Sequence, residues 1–304
     1  MSNSRELEDG DFSKVGDTAL LVAYFREGYG NPIADEVSRI TNAEKTSLKF
    51  FNGNKDKLKA ALSWMSVSLE MRQNGLYSVI NEFLNRTGNK NVLEVGAGVA
   101  LENAALFSQD GRIKHVLTDY SPELVRAQRE LVSRLIMADG NLTIRELDAL
   151  SLEQTKESIK GFEGKPYVKT SAGVLPYFSL DQRRQYFDIS RETMPAGSEI
   201  ITIDIMTKAN LEKLLRNKPD RFELLASLTG ITGSQLIENA YESDEQAVGQ
   251  IEQAGLKVAR VVPIYYGRGY DLQSPSILAK RGIAVDPKDI ESFGNRPIWV
   301  ISSN

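Results

Sequence analysis

The sequence has no cysteine and only one histidine among its 304 residues. Without cysteine, the chain can form no disulfide bond and has no thiol for catalysis or zinc binding. It also lacks an apolar run long enough to span a membrane, and its first residues, 1–11, are polar and acidic, unlike a signal peptide. These absences predict a cytoplasmic protein that does not bind a membrane.

An excess of basic residues is also missing. The chain carries 37 Lys and Arg against 41 Asp and Glu, a net charge of −4, whereas proteins that bind polyphosphates usually present a basic field. We therefore expect a small molecule rather than a nucleic acid as the partner. Hydrophobic residues make up 41% of the chain, which is enough to fill the core of an ordinary globular protein.

The most informative stretch, residues 91–100, has the pattern of a buried strand that runs into a glycine turn. Apolar, mostly β-branched residues are followed at once by Gly96 and Gly98, and good helix formers occupy residues 100–107. Glycine allows the backbone to turn sharply and allows a ligand to approach the main chain without meeting a Cβ atom. The stretch therefore predicts a strand, a tight loop and a helix, as in nucleotide-binding loops.

Asp119 and Glu94 bear on which nucleotide this loop binds. Asp119 ends the next apolar strand about 20 residues after the glycines, where a carboxylate can bind ribose hydroxyls, and this position suits NAD equally well. The dinucleotide fingerprint, however, requires a third glycine where this sequence has Leu101. Glu94 would also repel a pyrophosphate at the helix N-terminus. The loop therefore favours a cationic ligand.

Together, these residues resemble the first motif of the class I S-adenosylmethionine-dependent methyltransferases, which is an acidic residue, any residue, and then glycines at alternate positions. Glu94, Gly96 and Gly98 match it, and Ala100 replaces a third glycine. The resemblance covers residues 88–304 and continues through the segments 117–122, 145–149, 170–178 and 194–198. The family implies an enzyme that uses S-adenosyl-L-methionine. A dinucleotide enzyme and a cofactor-binding scaffold without catalysis are the alternatives.

The chemistry of this cofactor suggests roles for the residues near the loop. Glu94 is expected to attract the ammonium group, directly or through water, the backbone N–H groups of residues 96–98 to bind the carboxylate, and Asp119 to bind the ribose. In similar enzymes a carboxylate in the position of Asp148 accepts from the adenine amino group. The predicted cofactor-binding residues are Glu94, Gly96, Ala97, Gly98, Asp119, Tyr120, Asp148, Ala149 and Ser171.

From the glycine loop onward, strand and helix patterns alternate, which predicts an α/β fold with a doubly wound, mostly parallel sheet. The family resemblance implies seven strands, the last of which is antiparallel and lies beside the sixth. After the first strand, the expected strands are 115–119, 142–147, 167–171, 199–204, 257–266 and 297–301.

Residues 1–88 carry no strand pattern and are predicted to be helical, with the longest helix at 57–84, whereas residues 89–304 form the methyltransferase domain. In similar enzymes, such helices fold over the cofactor as a lid. Aromatic side chains of this region either line the lid or simply pack the helices together. The candidate lid residues are Tyr24, Phe25, Tyr29, Trp64 and Tyr77.

A helical insertion is expected at about residues 207–242, where apolar residues recur at helical spacing. It follows strand five on the side of the sheet where ligands bind, so it predicts either a substrate lid or the contact surface of a homodimer. Its basic residues, including Arg221, are mixed with acidic ones and indicate a solvated helix face. Residues 267–295 predict only a short helix around 277–280.

Methyl transfer from a sulfonium needs mainly in-line positioning and exclusion of water. His115 begins strand two, away from the ligand-binding edge, and is expected to be structural. Tyr177 stands where many related enzymes have histidine, and Asp204 follows strand five. We expect a small acceptor that is already nucleophilic, such as an amine, a thioether or a carbon. The alternative is O-methylation of a phenol or carboxylate with Tyr177 or Asp204 as base. No metal site is predicted.

Overall fold

A seven-stranded sheet is the centre of the structure, a computed structural model that describes residues 15–136, 141–216, 219–264, 271–294 and 296–303. Its strands are β1 (Asn91–Val95), β2 (Lys114–Asp119), β3 (Leu142–Glu146), β4 (Val168–Ser171), β5 (Glu199–Thr202), β6 (Leu256–Pro263) and β7 (Pro297–Ser303). They lie in the order β3-β2-β1-β4-β5-β7-β6. Neighbouring strands are parallel except where β7 pairs antiparallel with β5 and β6. The predicted fold class is confirmed.

Helices precede the sheet and connect its strands. In chain order they are α1 (Val15–Arg26), α2 (Pro32–Thr41), α3 (Ala43–Lys49), α4 (Lys55–Thr87), α5 (Glu102–Ser108), α6 (Pro122–Leu135), α7 (Leu152–Ser158), α8 (Leu180–Thr193), α9 (Lys208–Leu215), α10 (Pro219–Thr232), α11 (Asp244–Gln253), α12 (Ser274–Lys280) and α13 (Pro287–Gly294). Within the described ranges, none of them combines the length and apolarity that crossing a membrane requires.

The long helix α4 has defined signals at both ends. The side chain of Asn54 accepts a hydrogen bond from the Lys57 N–H group (3.0 Å), which caps the first turn. Gly88 follows the last turn with φ 67°, a left-handed conformation that glycine adopts without strain. The helix therefore extends a few residues beyond the predicted 57–84 at each end.

Helices cover both faces of the sheet, because successive strand residues point to opposite sides. On β1, Val92 packs into a core that also contains Phe83 of α4. Its neighbour Leu93 packs into a second core that contains Phe187 of α8. The buried strand residues thus separate two hydrophobic layers, as in a doubly wound fold.

The N-terminal helices share one of these cores with the sheet. Phe25 and Val67 are fully buried in the same cluster as Val168 and Val300 of the strands. The described part of the N-terminal region therefore packs directly on the sheet. Residues 1–14 lie outside the described residues, and a domain boundary at residue 88 stays a prediction.

Three strands end earlier than their sequence patterns predict, β3 by one residue and β5 and β6 by more. β5 ends at Thr202 rather than at 204, because the Asp204 N–H group donates to Thr202 Oγ1 (3.1 Å) as the chain leaves the sheet. β6 ends at Pro263, which has no N–H group to donate to a neighbouring strand. The remainder of the predicted strand falls partly on residues 265–270, which lie outside the described residues.

The segments beyond the minimal pattern are helical. The insertion consists of α9 and α10, and α12 includes the short helix expected around 277–280, whereas α13 was not predicted. Arg221 in α10 is only 3% exposed, so the prediction of a solvated position is wrong. Its guanidinium donates to Asp289 Oδ1 (2.5 Å) and lies over the rings of Trp64 and Phe293.

Gly75 lets α4 approach the sheet closely. A Cβ atom at this position would lie 3.0 Å from both the Ile264 carbonyl oxygen and Ile298 Cδ1. We expect Gly75→Ala to destabilise the fold by about 1–3 kcal/mol, because overpacking outweighs the better helix propensity of alanine. Gly249→Ala in α11 is the control, since no described atom lies within 4 Å of its new Cβ, and it should stabilise the fold by about 0.5–1 kcal/mol. Urea unfolding measures both, and similar changes would contradict the tight contact.

Lys169 of β4 predicts a pH dependence of stability. Its Nζ is buried, donates to Ser190 Oγ (2.8 Å) and lies 3.9 Å from the Tyr186 ring centroid. Burial lowers the pKa of this ammonium from 10.5 to about 7. Between these values the unfolded chain binds more protons than the folded one, so stability rises with pH by up to about 1.4 kcal/mol per unit. Lys169→Met should abolish this rise in urea unfolding between pH 7 and about 9, while Lys114→Met, at an exposed position, should keep it. An unchanged slope in Lys169→Met would refute the assignment.

Candidate functional site

A cavity opens at the carboxyl ends of β1, β4 and β5, the edge where parallel α/β sheets bind ligands. The volume that the centre of a water molecule can occupy in this cavity is about 300 Å³. Residues 96–100 and Asp119 line one end, and α1 and α4 form a wall beside them. Leucines from the insertion line the other end: Leu211, Leu214, Leu215, Leu224, Leu225, Leu228 and Leu236.

The glycine loop folds back on the end of β2. Gly96 and Gly98 both have left-handed φ angles (63° and 59°), which turn the chain directly after β1. The Ala97 N–H group donates to the Thr118 carbonyl oxygen (2.9 Å), and the Gly98 N–H group donates to Asp119 Oδ2 (2.8 Å). Two of the N–H groups expected to bind a cofactor carboxylate are therefore already used within the protein, which corrects that part of the prediction.

Asp119 lies where the sequence predicts it, at the cavity beside the loop. Oδ2 accepts from Gly98 and Oδ1 accepts from the Ser121 N–H group (3.1 Å). Burial raises the pKa of this carboxyl, and the hydrogen bonds from the backbone oppose the effect. Because each carboxylate oxygen can accept more than one hydrogen bond, Asp119 keeps acceptor capacity for a ligand diol.

Glu94 faces away from the cavity surface. Oε1 accepts from Asn103 Nδ2 (3.2 Å), and Oε2 lies 3.2 Å from His115 Nε2. Asn103 in turn accepts from Gln73 Nε2 (2.5 Å), and Gln73 lines the cavity. Glu94 would therefore act on a ligand ammonium through Asn103 and Gln73 rather than by direct contact. His115 is buried beside the Phe107 ring, as the structural interpretation expected.

The remaining candidate cofactor residues lie off the cavity wall. Tyr120 is 42% exposed beyond the end of β2. Asp148 Oδ1 accepts from the Leu150 N–H group (2.9 Å) in the turn after β3, where the next residue, Ala149, is buried. Ser171 is buried, and its Oγ lies 3.2 Å from Thr202 Oγ1. The cofactor contacts assigned to these residues stay predictions.

Tyr177 and Asp204 come together at the middle of the cavity, as expected from their positions after β4 and β5. The Asp204 carboxylate accepts from three backbone N–H groups, those of Gly173 (2.5 Å), Val174 (2.9 Å) and Leu175 (3.2 Å). It therefore holds the loop that carries Tyr177. Arg183 supports the same loop by donating from Nε to the Leu175 carbonyl oxygen (2.9 Å).

The Tyr177 hydroxyl joins this loop to α1, because it donates to Thr18 Oγ1 (3.3 Å). Burial raises the pKa of the phenol. Tyr177 is therefore protonated at neutral pH and acts there as a hydrogen-bond donor.

Of the five candidate lid aromatics, only Trp64 lines the cavity. Phe25 is fully buried, and the Tyr29 hydroxyl donates to Glu102 Oε1 (2.5 Å). Tyr24 lies 5.9 Å from the Phe25 ring and Tyr77 lies 5.7 Å from the Phe107 ring, both measured between centroids. These four side chains pack helices together, because they point from the helices toward other elements rather than toward the ligand edge.

Residues that the sequence interpretation missed form much of the wall. From α1 they include Thr18, Ala19 and Val22, which are small or apolar and carry no chemical signal. The cavity is also lined by four arginines that are far apart in the sequence: Arg26, Arg72, Arg221 and Arg296. No local pattern connects such residues, so only the fold brings them together. Among the described residues, no group of three or more metal-ligating side chains is arranged around an ion site.

Comparison with known proteins reveals a likeness in structure but none in sequence. No family model and no curated protein matches the chain. A candidate methyltransferase from Thermobifida fusca YX is similar in structure, with a TM-score of 0.57, 15% identity, and 86% of this chain and 88% of that chain covered. At this identity the likeness defines the fold, and the chain has the Rossmann-like fold of the class I methyltransferases.

Two further solved structures are similar at lower scores. The mitomycin 7-O-methyltransferase MmcR gives a TM-score of 0.48 at 16% identity, with 91% of this chain and 70% of that chain covered. The magnesium protoporphyrin IX methyltransferase from Synechocystis PCC 6803, solved with S-adenosylhomocysteine, gives 0.48 at 14% identity, with coverage of 79% and 87%.

The three hydrogen bonds to Asp204 predict its effect on stability. An asparagine at this position would turn an NH₂ group toward at least one of the backbone donors, so Asp204→Asn should destabilise the fold by about 1–3 kcal/mol. Asp181→Asn, in the first turn of α8, is the matched control and should change stability little. Thermal unfolding compares the two. A fully stable Asp204→Asn variant would argue that the carboxylate is held for chemistry rather than for the loop.

Proposed function

We propose that the protein transfers a methyl group from S-adenosyl-L-methionine to a small, largely apolar acceptor. The observation that carries this proposal is the continuity of the cavity. One space connects the glycine loop and Asp119 to the leucine-lined end, and it passes Tyr177 and Asp204 on the way. A two-substrate transfer needs such a space, because both molecules must meet with water excluded.

The residues at the loop fit the proposed cofactor. The left-handed turn at Gly96 and Gly98 places the loop on the cavity wall, and Asp119 retains acceptor capacity for the ribose hydroxyls. Gly173 faces open space, since a Cβ there would meet no described atom nearer than Arg72 Nη2 at 4.0 Å. Gln73 offers a relayed path from Glu94 to the ammonium. When bound, the cofactor supplies an activated methyl group on a sulfonium.

The leucine-lined end favours an acceptor with an apolar body. Burying such a body against the leucines of α9 and α10 contributes roughly 25 cal/mol per Å² of apolar surface removed from water. The acidic net charge of the chain speaks against a nucleic acid as acceptor. We therefore retain a small molecule as the partner, and assign the insertion to the acceptor pocket rather than to a homodimer contact.

Tyr177 and Asp204 are better suited to positioning than to proton removal. A phenol whose pKa is raised by burial is a weak base catalyst near neutral pH because little of it is ionised. The Asp204 carboxylate is already surrounded by three N–H donors. Both features support an acceptor that is nucleophilic without deprotonation, namely an amine, a thioether or an electron-rich carbon. O-methylation with one of these residues as base is the second candidate.

The alternative of a scaffold without catalysis receives less support. Such a protein would keep the loop and lose the space beside it, whereas here the cavity continues past Tyr177 to the leucines. A dinucleotide enzyme is disfavoured because Leu101 stands where the dinucleotide fingerprint requires a third glycine.

Calorimetry with S-adenosylhomocysteine tests the cofactor assignment. We expect micromolar binding, and Asp119→Ala should weaken it by roughly 2–3 kcal/mol because two charge-assisted hydrogen bonds to the ribose are lost. Asp110→Ala, in an exposed turn, is the control and should bind like the wild type. Circular dichroism verifies that each variant folds. Tight binding of NADH with no response to S-adenosylhomocysteine would refute the proposal.

A further inference from the structure

The four arginines that line the cavity differ in their partners. Two of its four arginines have acidic partners: Arg26 lies 2.7 Å from Glu102, and Arg221 lies 2.5 Å from Asp289. The other two, Arg72 and Arg296, form no ion pair or side-chain hydrogen bond with any described residue. Each keeps some accessible surface, and both line the same space.

The acidic residues of the cavity wall form no ion pair with these two arginines. The described lining contains two carboxylates, Asp119 and Asp204. Asp119 accepts from the backbone at the glycine loop, and Asp204 accepts from three N–H groups after β4. Asp204 acts on Arg72 electrostatically, but at more than ion-pair distance. Among the described residues, no carboxylate therefore lies within ion-pair distance of Arg72 or Arg296.

A cation in such surroundings is unfavourable. Burial, followed by the repulsion from Arg72 and Arg221, lowers the pKa of Arg296 to about 9. Burial likewise lowers the pKa of Arg72. Arg296 remains charged at neutral pH and has no carboxylate partner among the described residues, so a bound anion would offset part of the cost of its burial. A guanidinium offers a planar pair of donors that match a carboxylate in a bidentate arrangement.

The position of Arg296 separates it from the cofactor end. It immediately precedes β7, which pairs with β5, and β5 is separated from β1 by β4. Three strand spacings amount to about 14 Å between the glycine loop and the start of β7. Both backbone polar groups of Arg296 are hydrogen-bonded. Its N–H group donates to the Phe293 carbonyl oxygen (3.1 Å), and its carbonyl oxygen accepts from the Ile264 N–H group (2.9 Å). Its guanidinium lies 5.2 Å from the Phe293 ring centroid.

We propose that Arg296, together with Arg72, binds the carboxylate of the methyl acceptor, and that the acceptor is an organic acid whose apolar body fills the leucine-lined end. This inference rests on the proposed function, because it names the substrate class of the same site. The carboxylate serves as the anchor rather than as the methylated group, because lone pairs engaged by a guanidinium are poor nucleophiles. The methylated atom lies on the remainder of the molecule, toward Tyr177.

Binding of decanoate and of its methyl ester to the full chain, saturated with S-adenosylhomocysteine, tests this proposal by calorimetry. The wild type should bind decanoate more tightly than the ester. Arg296→Met should weaken decanoate binding by roughly 10- to 100-fold and leave the ester unchanged, since only the charged hydrogen bonds are lost. Arg86→Met is the matched control, because Arg86 pairs with Glu199 away from the cavity, and it should bind both probes like the wild type.

Three results would overturn the proposal. One is a wild type that binds acid and ester equally well, a comparison that needs no variant to fold. Another is unchanged decanoate affinity in Arg296→Met. The third is a variant that loses affinity for S-adenosylhomocysteine but not for 5′-methylthioadenosine, which lacks the amino-acid end, because the anion would then be the cofactor's own carboxylate. Failure of the wild type to bind S-adenosylhomocysteine would instead refute the proposed function, whatever decanoate does.

Discussion

The close packing of α4 on the sheet is the constraint on which the cavity depends. Val67 and Phe83 of this helix are buried in the same core as the strands, whereas Arg72 lines the cavity. The helix can lie this close because Gly75 places no side chain against the Ile264 carbonyl. Because protein interiors are closely packed, an added methyl group at Gly75 would displace α4, and the cavity wall that α4 forms would move with it. Core packing and site geometry are therefore set by the same contact.

The parts of the molecule that follow local rules could be predicted from the sequence. Alternating strand and helix patterns predicted a mostly parallel, doubly wound sheet, and the family resemblance implied its antiparallel last strand. The two glycines with Asp119 predicted one end of the cavity, because their spacing lies within a single strand-loop-helix-strand unit. The acceptor end could not be predicted in this way. The helical spacing of its leucines predicted a lid or a dimer contact, but the small α1 residues and the arginines come from separate segments between residues 18 and 296 and share no local pattern. Arg221 illustrates the difficulty, because its partner Asp289 is 68 positions away.

The glycine loop shows a second limit of motif reasoning. The motif located the loop correctly, but not the partners of its polar groups. The Ala97 and Gly98 N–H groups bind the end of β2, and Glu94 binds Asn103 and His115. A sequence shows which donors and acceptors are present. Their partners in a buried site depend on which groups the fold brings within hydrogen-bonding distance. The similarity to solved methyltransferases is limited in the same way, because it shows the fold and does not identify the methyl acceptor.

The helix α1 contacts the cavity wall at two places, the glycine loop and Tyr177. Ala19 lies against the glycine loop, 3.1 Å from where a Cβ of residue 98 would stand, and Thr18 accepts from Tyr177 on the loop after β4. Because Thr18 and Ala19 are neighbours in one helix, the glycine loop and the loop after β4 cannot move apart without breaking a contact with α1.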